Sequence, residues 1–138
     1  MLLLQYVNFL GNIMNSMLRF SLILGLFLAI GSNPVLASDL TKGKKVFNKC
    51  RACHNVDKTK NKVGPHLVGI FGRTSGTVDG FKYSKRMKAA AVVWDQSTLD
   101  AFLTKPKSFI KGTKMGFAGL KKATDRENVI AYLKSMAQ

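Results

Sequence analysis

The stretch CRACHNV, residues 50–56, sets two cysteines three positions apart, with a histidine directly behind the second. The chain has 2 cysteines and 2 histidines in all, so these seven residues hold both thiols and one of the two imidazoles. Three chemistries use a C-x-x-C spacing. Structural zinc wants four thiolate or imidazole ligands, and the fourth would have to be His66, with twelve positions from His54 and a loop-rich surround unlike a finger. A thiol–disulfide exchange motif opens a helix behind a strand, where the helix end lowers the first thiol's pKa. Here the motif closes a helical segment, and no strand pattern precedes it.

The third chemistry is covalent c-type haem, for which C-x-x-C-H is the attachment signature. Two thiols add across two vinyl groups on one edge of a flat macrocycle, and the next residue's imidazole comes beneath the ring centre. A helix end running into a turn supplies that geometry. By composition, the pentapeptide arises by chance in a chain this long on the order of once in a thousand. Cys50 and Cys53 are therefore expected to anchor one haem c, with His54 as an iron ligand.

The 138 residues allow one small domain. FSLILGLFLAI, residues 20–30, is an unbroken apolar run behind Arg19, and NPVLA follows with Val35 and Ala37 spaced as a cleavage site. A positive flank, a short apolar region and a small-residue exit describe a secretory signal peptide. The expectation is a signal peptide over 1–37 and a mature domain over 38–138. The alternative is an uncleaved N-terminal anchor, since apolar character extends back through MLLLQYVNFLGNIM. The net charge is +15, and all seven acidic residues and every basic residue but Arg19 lie beyond Ala37. So basic a body speaks about partners rather than fold. A domain this small also makes a thin core from protein alone, which a cofactor would fill.

Four segments carry helical signals. DLTKGKKVFNKC places Leu40, Gly43, Phe47 and Cys50 on one face. YSKRMKAAA follows Tyr83 with Ser84 as N-cap, and DQSTLDAFLTK, with Leu99, Phe102 and Leu103 as its apolar face, must end before Pro106. Thr124 and Glu127 read as a capping box ahead of NVIAYLKSMA, whose stripe is Val129, Tyr132, Leu133 and Met136. Long glycine-rich loops between them carry apolar residues that must pack on something. No strand pattern of useful length occurs, so the fold class is all-α.

One axial site on the iron then decides the function. Left open, it admits small molecules; filled by a second side chain, it leaves only electron passage. The candidates are His66, Met87, Met115 and Met136. Met136 and Met87 have helix faces to pack. Met115 sits in GTKMGFAG, where no helix face explains it, and a soft thioether for iron does.

The chain resembles the class I cytochromes c of mitochondrial type, including their bacterial periplasmic relatives, over nearly all of residues 39–137. The resemblance rests on KGKKVFNKCRACH, VGPHLVGIFGR, GFKYSK, VVW, KPKSFIKGTKMGFAG and ENVIAYLKSM. It implies a single-domain fold of about four helices, with long loops wrapped around one haem. It implies Cys50 and Cys53 as thioether anchors, with His54 and Met115 as the two axial ligands. The Pro65 carbonyl would accept from the other nitrogen of His54. Tyr83 and Trp94 would hydrogen-bond a propionate, Arg73 would offset its charge, and Phe117 would cover the haem beside Met115. Gly43 and Phe47 would pack on Tyr132 and Leu133 where the first and last helices cross. Two positions depart from the family: Phe102 stands where many members have tyrosine, and Lys111 where proline is common.

A saturated iron binds no substrate, so no enzyme activity is expected. The work is electron transfer through an exposed haem edge, by a monomer. Lys42, Lys44, Lys45, Lys49, Lys107, Lys111, Lys114, Lys121 and Lys122 flank the haem motif and Met115 in sequence. The resemblance implies that they face membrane redox complexes, a quinol-oxidising cytochrome complex and a terminal oxidase, from the periplasm. Nucleic acid is a poor partner for a secreted chain without aromatics among its basic residues. Weak binding to anionic lipid is compatible with the charge. The competing reading is a haem protein with a labile sixth ligand, acting on peroxide or sensing a gas. Around Met115, however, only Gly116, Phe117 and Ala118 stand where such a protein would want acid–base groups.

Overall fold

In a computed structural model, residues 39–136 are described. The expected signal peptide, with its cleavage point after Ala37, lies outside the described residues, as does the alternative anchor. Five helices are present among the described residues: α1 (Leu40–Phe47), α2 (Lys85–Ala89), α3 (Gln96–Thr104), α4 (Pro106–Phe109) and α5 (Ala123–Ser135). Among the described residues the only β pairing is a single bridge between Thr74 and Val93. None of these helices is long and apolar enough to cross a membrane.

The frame is the contact of α1 with α5. Asp39 caps α1 by accepting from the Lys42 N–H (3.1 Å), and its own N–H donates to Asn128 Oδ1 at 2.8 Å. The first turn of α1 is thus tied to the middle of α5. Gly43 and Phe47 face α5, and the Phe47 and Tyr132 rings lie 5.5 Å apart. The expected partners of this crossing meet. Leu40 does not join them: it is 48% exposed, and Val46 supplies the buried position instead. The face therefore runs 43–46–47, one helical turn, and α1 ends at Phe47 with tighter turns carrying the chain on to Cys50.

Ser84 caps α2 as its sequence position suggests, accepting from the Met87 N–H at 3.1 Å. Asp95 and Thr98 form a reciprocal capping box on α3, both bonds 2.8 Å. Leu99, Phe102 and Leu103 are all buried. α3 stops where Lys105 goes extended (φ −158°, ψ 86°), the conformation a residue before proline prefers. Pro106 then starts α4 as its first residue, an extra turn of helix inside a stretch that reads as loop.

The capping box expected at Thr124 and Glu127 is not formed. α5 begins one position before Thr124, with Lys122 as N-cap and no side-chain cap bond. Arg126, in the first turns of α5, donates to the Leu120 and Lys121 carbonyls at 2.9 and 3.2 Å and so fixes the incoming chain by another route. The buried stripe of α5 is Val129, Ile130 and Leu133, while Tyr132 and Met136 are only partly buried at its margin. Stripe and α3 face meet in one core with Val46 and Phe47.

Candidate functional site

Inside this frame lies a cavity of about 210 Å³. That is far beyond the voids a packed interior tolerates, and its wall is mainly apolar. The turn after α1 brings Cys50, Cys53 and His54 to one side of it: the Cys53 and His54 N–H groups both donate to the Cys50 carbonyl, at 3.0 and 2.9 Å. Cys50 is half-buried and Cys53 exposed. Burial raises the Cys50 thiol above its ordinary value, Lys49 opposing and Cys53 adding to the rise.

His54 Nδ1 lies 2.7 Å from the Pro65 carbonyl oxygen. A carbonyl only accepts, so Nδ1 carries the proton and Nε2 keeps its lone pair free for a metal. Burial holds the imidazole below its ordinary value, the Pro65 bond working against this and Lys62 with it. Both effects of burial and tautomer leave a neutral ring, the form that ligates.

Arg73, Tyr83 and Trp94 line the same cavity. Arg73 is braced by two carbonyls, Val68 at 2.8 Å and His66 at 3.0 Å. Burial lowers its guanidinium from the usual value, the nearby Tyr83 opposing. Tyr83 is raised by burial against the pull of Arg73. Trp94 is buried, its ring 5.0 Å from that of Phe102, and its backbone pairs with Arg73 and Gly72 across the Thr74–Val93 bridge. Ser75, between these elements and 2% exposed, donates to the Met87 carbonyl and accepts from the Val92 N–H, locking α2 to the bridge.

Of the four candidates for a second iron ligand, Met115 and Met87 line the cavity, while His66 and Met136 do not. Met87 is buried on α2 within the core. Met115 stands on the loop after α4, half-buried, its N–H donating to Thr113 Oγ1 at 3.3 Å. Phe117 does not line the cavity and instead packs, partly buried, against the core. Thr113, which motif reading passed over, also shapes the wall, as does Lys114, one of the lysines flanking Met115 in sequence, whose Nζ reaches the Lys82 carbonyl at 3.5 Å across the neighbouring loop. Thr113 carries no sequence signal apart from its nearness to Met115.

Residues 40–137 match the family model described as Cytochrome c. This chain belongs to the cytochrome c family. It is 54% identical over 98 residues to cytochrome c 2.1 of Caenorhabditis briggsae, covering 70% of this chain and 88% of that one. It is 48% identical over 99 residues to cytochrome c of Euglena viridis, covering 71% and 97%. It is 50% identical over 102 residues to the cytochrome c-type cyt cy of Rhodobacter capsulatus, covering 73% and 51%.

Cytochromes c hold haem c covalently through cysteine thiols, and in this cytochrome those thiols are Cys50 and Cys53. The site fits the group. Two thiols stand at the wall of a large apolar cavity, beside an imidazole whose free nitrogen is Nε2, and a thioether lines the same cavity. The helical architecture is that of a class I cytochrome c, and the protein is an electron carrier rather than an enzyme.

Proposed function

We propose that this cytochrome carries single electrons between a quinol-oxidising cytochrome complex and a terminal oxidase, with His54 and Met115 as the two axial ligands of its haem. When bound, the haem supplies an iron that takes up and gives back one electron. The chain's own part is to hold that iron in one coordination and to bring its edge to a partner. The observation that carries the reading is that His54 and Met115 both line one cavity, with the His54 proton spent on Pro65. Arg73, Tyr83 and Trp94 are the residues suited to a buried propionate: a cation and two polar-tipped aromatics in a mainly apolar wall. Phe117 serves in this reading as packing behind the Met115 loop.

Docking falls to the lysines. Lys44, Lys45, Lys107, Lys111, Lys114, Lys121 and Lys122 are exposed and make no ion pair among the described residues, whereas Lys42 pairs with Asp39 and Lys49 reaches Asp125 at 4.0 Å. Such a surface speeds encounter with an acidic partner, in a salt-dependent way. We place the mature protein, residues 38–138, in the periplasm as a monomer, because haem attachment of this type takes place outside the cytoplasm and the N-terminus reads as a signal. Mass spectrometry of the secreted holoprotein should find Ser38 first; an intact N-terminus would mean a tethered form. The decisive functional test is stopped-flow oxidation of the reduced protein by a purified terminal oxidase. Rates should fall about tenfold or more as salt is raised over a decade. Salt-independent rates would contradict docking by charge, and rapid peroxide turnover would favour an open sixth site.

A further inference from the structure

We propose that Gly64 is a positioning residue that sets the plane of the His54 imidazole by lying against its face. The inference rests on the reading of His54 as an axial ligand. The bond to Pro65 holds one ring atom, Nδ1, and leaves the ring free to swing about the line from Nδ1 to the carbonyl. A second constraint is needed to fix the plane.

Gly64 provides it. A methyl group on Gly64 would stand 2.8 Å from Nδ1 and 2.9 Å from Nε2 of His54, and closer still to Cε1 between them. An approach in the ring plane would leave both nitrogens well behind Cε1. Both nitrogens instead lie only a few tenths of an ångström farther from that methyl than Cε1 does, which puts it over the ring face and the Gly64 α carbon against that face. Glycine is not required here for backbone freedom, because Gly64 is absent from the residues with positive φ. The demand is for closeness alone, and any side chain would push the ring or the backbone aside.

The backbone has little room to yield. The Gly64 N–H donates to the Cys53 carbonyl at 2.8 Å, and its own carbonyl accepts from the Lys62 N–H at 2.9 Å. Lys62 Nζ in turn donates to the Arg51 carbonyl at 2.8 Å. Residues 62–65 are thus strapped to the turn that carries both cysteines, and thiols and imidazole share one frame. The groups that orient a metal's ligand tune the metal as well, so the plane of His54 is a lever on the iron that sequence motifs do not reveal.

The test is the Gly64→Ala holoprotein. In the ferric state, its paramagnetic proton NMR should show a changed spread of haem-methyl shifts, and its reduction potential should move. The His54 Nδ1 proton should still exchange slowly, showing the Pro65 bond intact. An unchanged methyl pattern together with an unchanged potential would overturn the proposal. A second measurement does not depend on that variant maturing: in the reduced wild-type protein, nuclear Overhauser contacts should join the Gly64 α protons to the Cε1 proton of His54. Their absence would also overturn it. If the wild-type spectrum lacked axial histidine altogether, the ligand reading would fall first, and the two failures are distinguished.

Discussion

Gly43 of α1 rests directly on Tyr132 of α5: a methyl at Gly43 would stand 2.8 Å from the Tyr132 Cβ and would also strike the Asn128 carbonyl. On an open helix, Gly→Ala gains about 1 kcal/mol from propensity. Here the methyl meets the backbone of the opposing helix, so overpacking of about 1–3 kcal/mol wins. Gly43→Ala is expected to lower the denaturation midpoint of the holoprotein, and Gly43→Val to lower it further. A midpoint equal to or above wild type would show that α1 and α5 can separate at no cost.

Arg126 is a different kind of tie. Its side chain is 12% exposed, donates to Asp100 at 2.7 Å, and also bonds two loop carbonyls ahead of α5. With Asp100 40% exposed, the ion pair is open to solvent on one side and contributes little, but Arg126→Ala would leave the Leu120 and Lys121 carbonyls without their donor. The expected loss is about 2 kcal/mol. Asp100→Ala, which spares the carbonyl bonds, should cost less than half as much. Equal losses would mean that the ion pair rather than the loop clamp matters.

Acid sensitivity is predicted to involve His66. Its Nδ1 is buried without a hydrogen-bond partner among the described residues, and burial, then the charge of Arg73, holds the ring below its ordinary 6.5. The unfolded chain therefore binds the proton first as pH falls. Stability from this residue is complete above 6.5 and drains away as pH drops from there toward the lowered folded value. His66→Asn should flatten the stability–pH curve in that window, measured by denaturant unfolding at a series of pH values. An identical slope in wild type and variant would contradict the account.

Lys114 lines the same cavity as Met115, and Lys107 and Lys111 are exposed on the segment leading to it. A lysine amine that has lost its proton competes for iron with a thioether. Raising the pH should therefore abolish the methionine–iron absorbance band, and replacing all three lysines by alanine should push the loss to higher pH. A band that survives at about pH 11 would rule the exchange out.

Much of this was legible in the sequence because several residues act locally. The Cys50–Cys53–His54 spacing, the Ser84 cap, the α3 face and the stop at Pro106 are each set within a few positions, and each appears where the sequence puts it. What escaped was decided by tertiary contact. Leu40 has the right spacing, but α5 crosses α1 at Gly43 and leaves it outside. Thr124 and Glu127 have the right spacing for a cap, but Arg126 anchors the preceding chain from inside the helix. The one-turn helix at Pro106 is too short to show a period. Gly64 shows no signal beside the other glycines, because its role depends on a ring ten residues away.

The central claim is that His54 and Met115 share the iron, and the near-infrared absorption of the oxidised holoprotein at neutral pH tests it most directly. The account predicts the weak methionine–iron band in the wild type, and its loss in Met115→Ala with haem still attached through Cys50 and Cys53. A wild type without the band, showing a high-spin spectrum that shifts on adding carbon monoxide to the reduced form, would contradict it and leave the sixth site open.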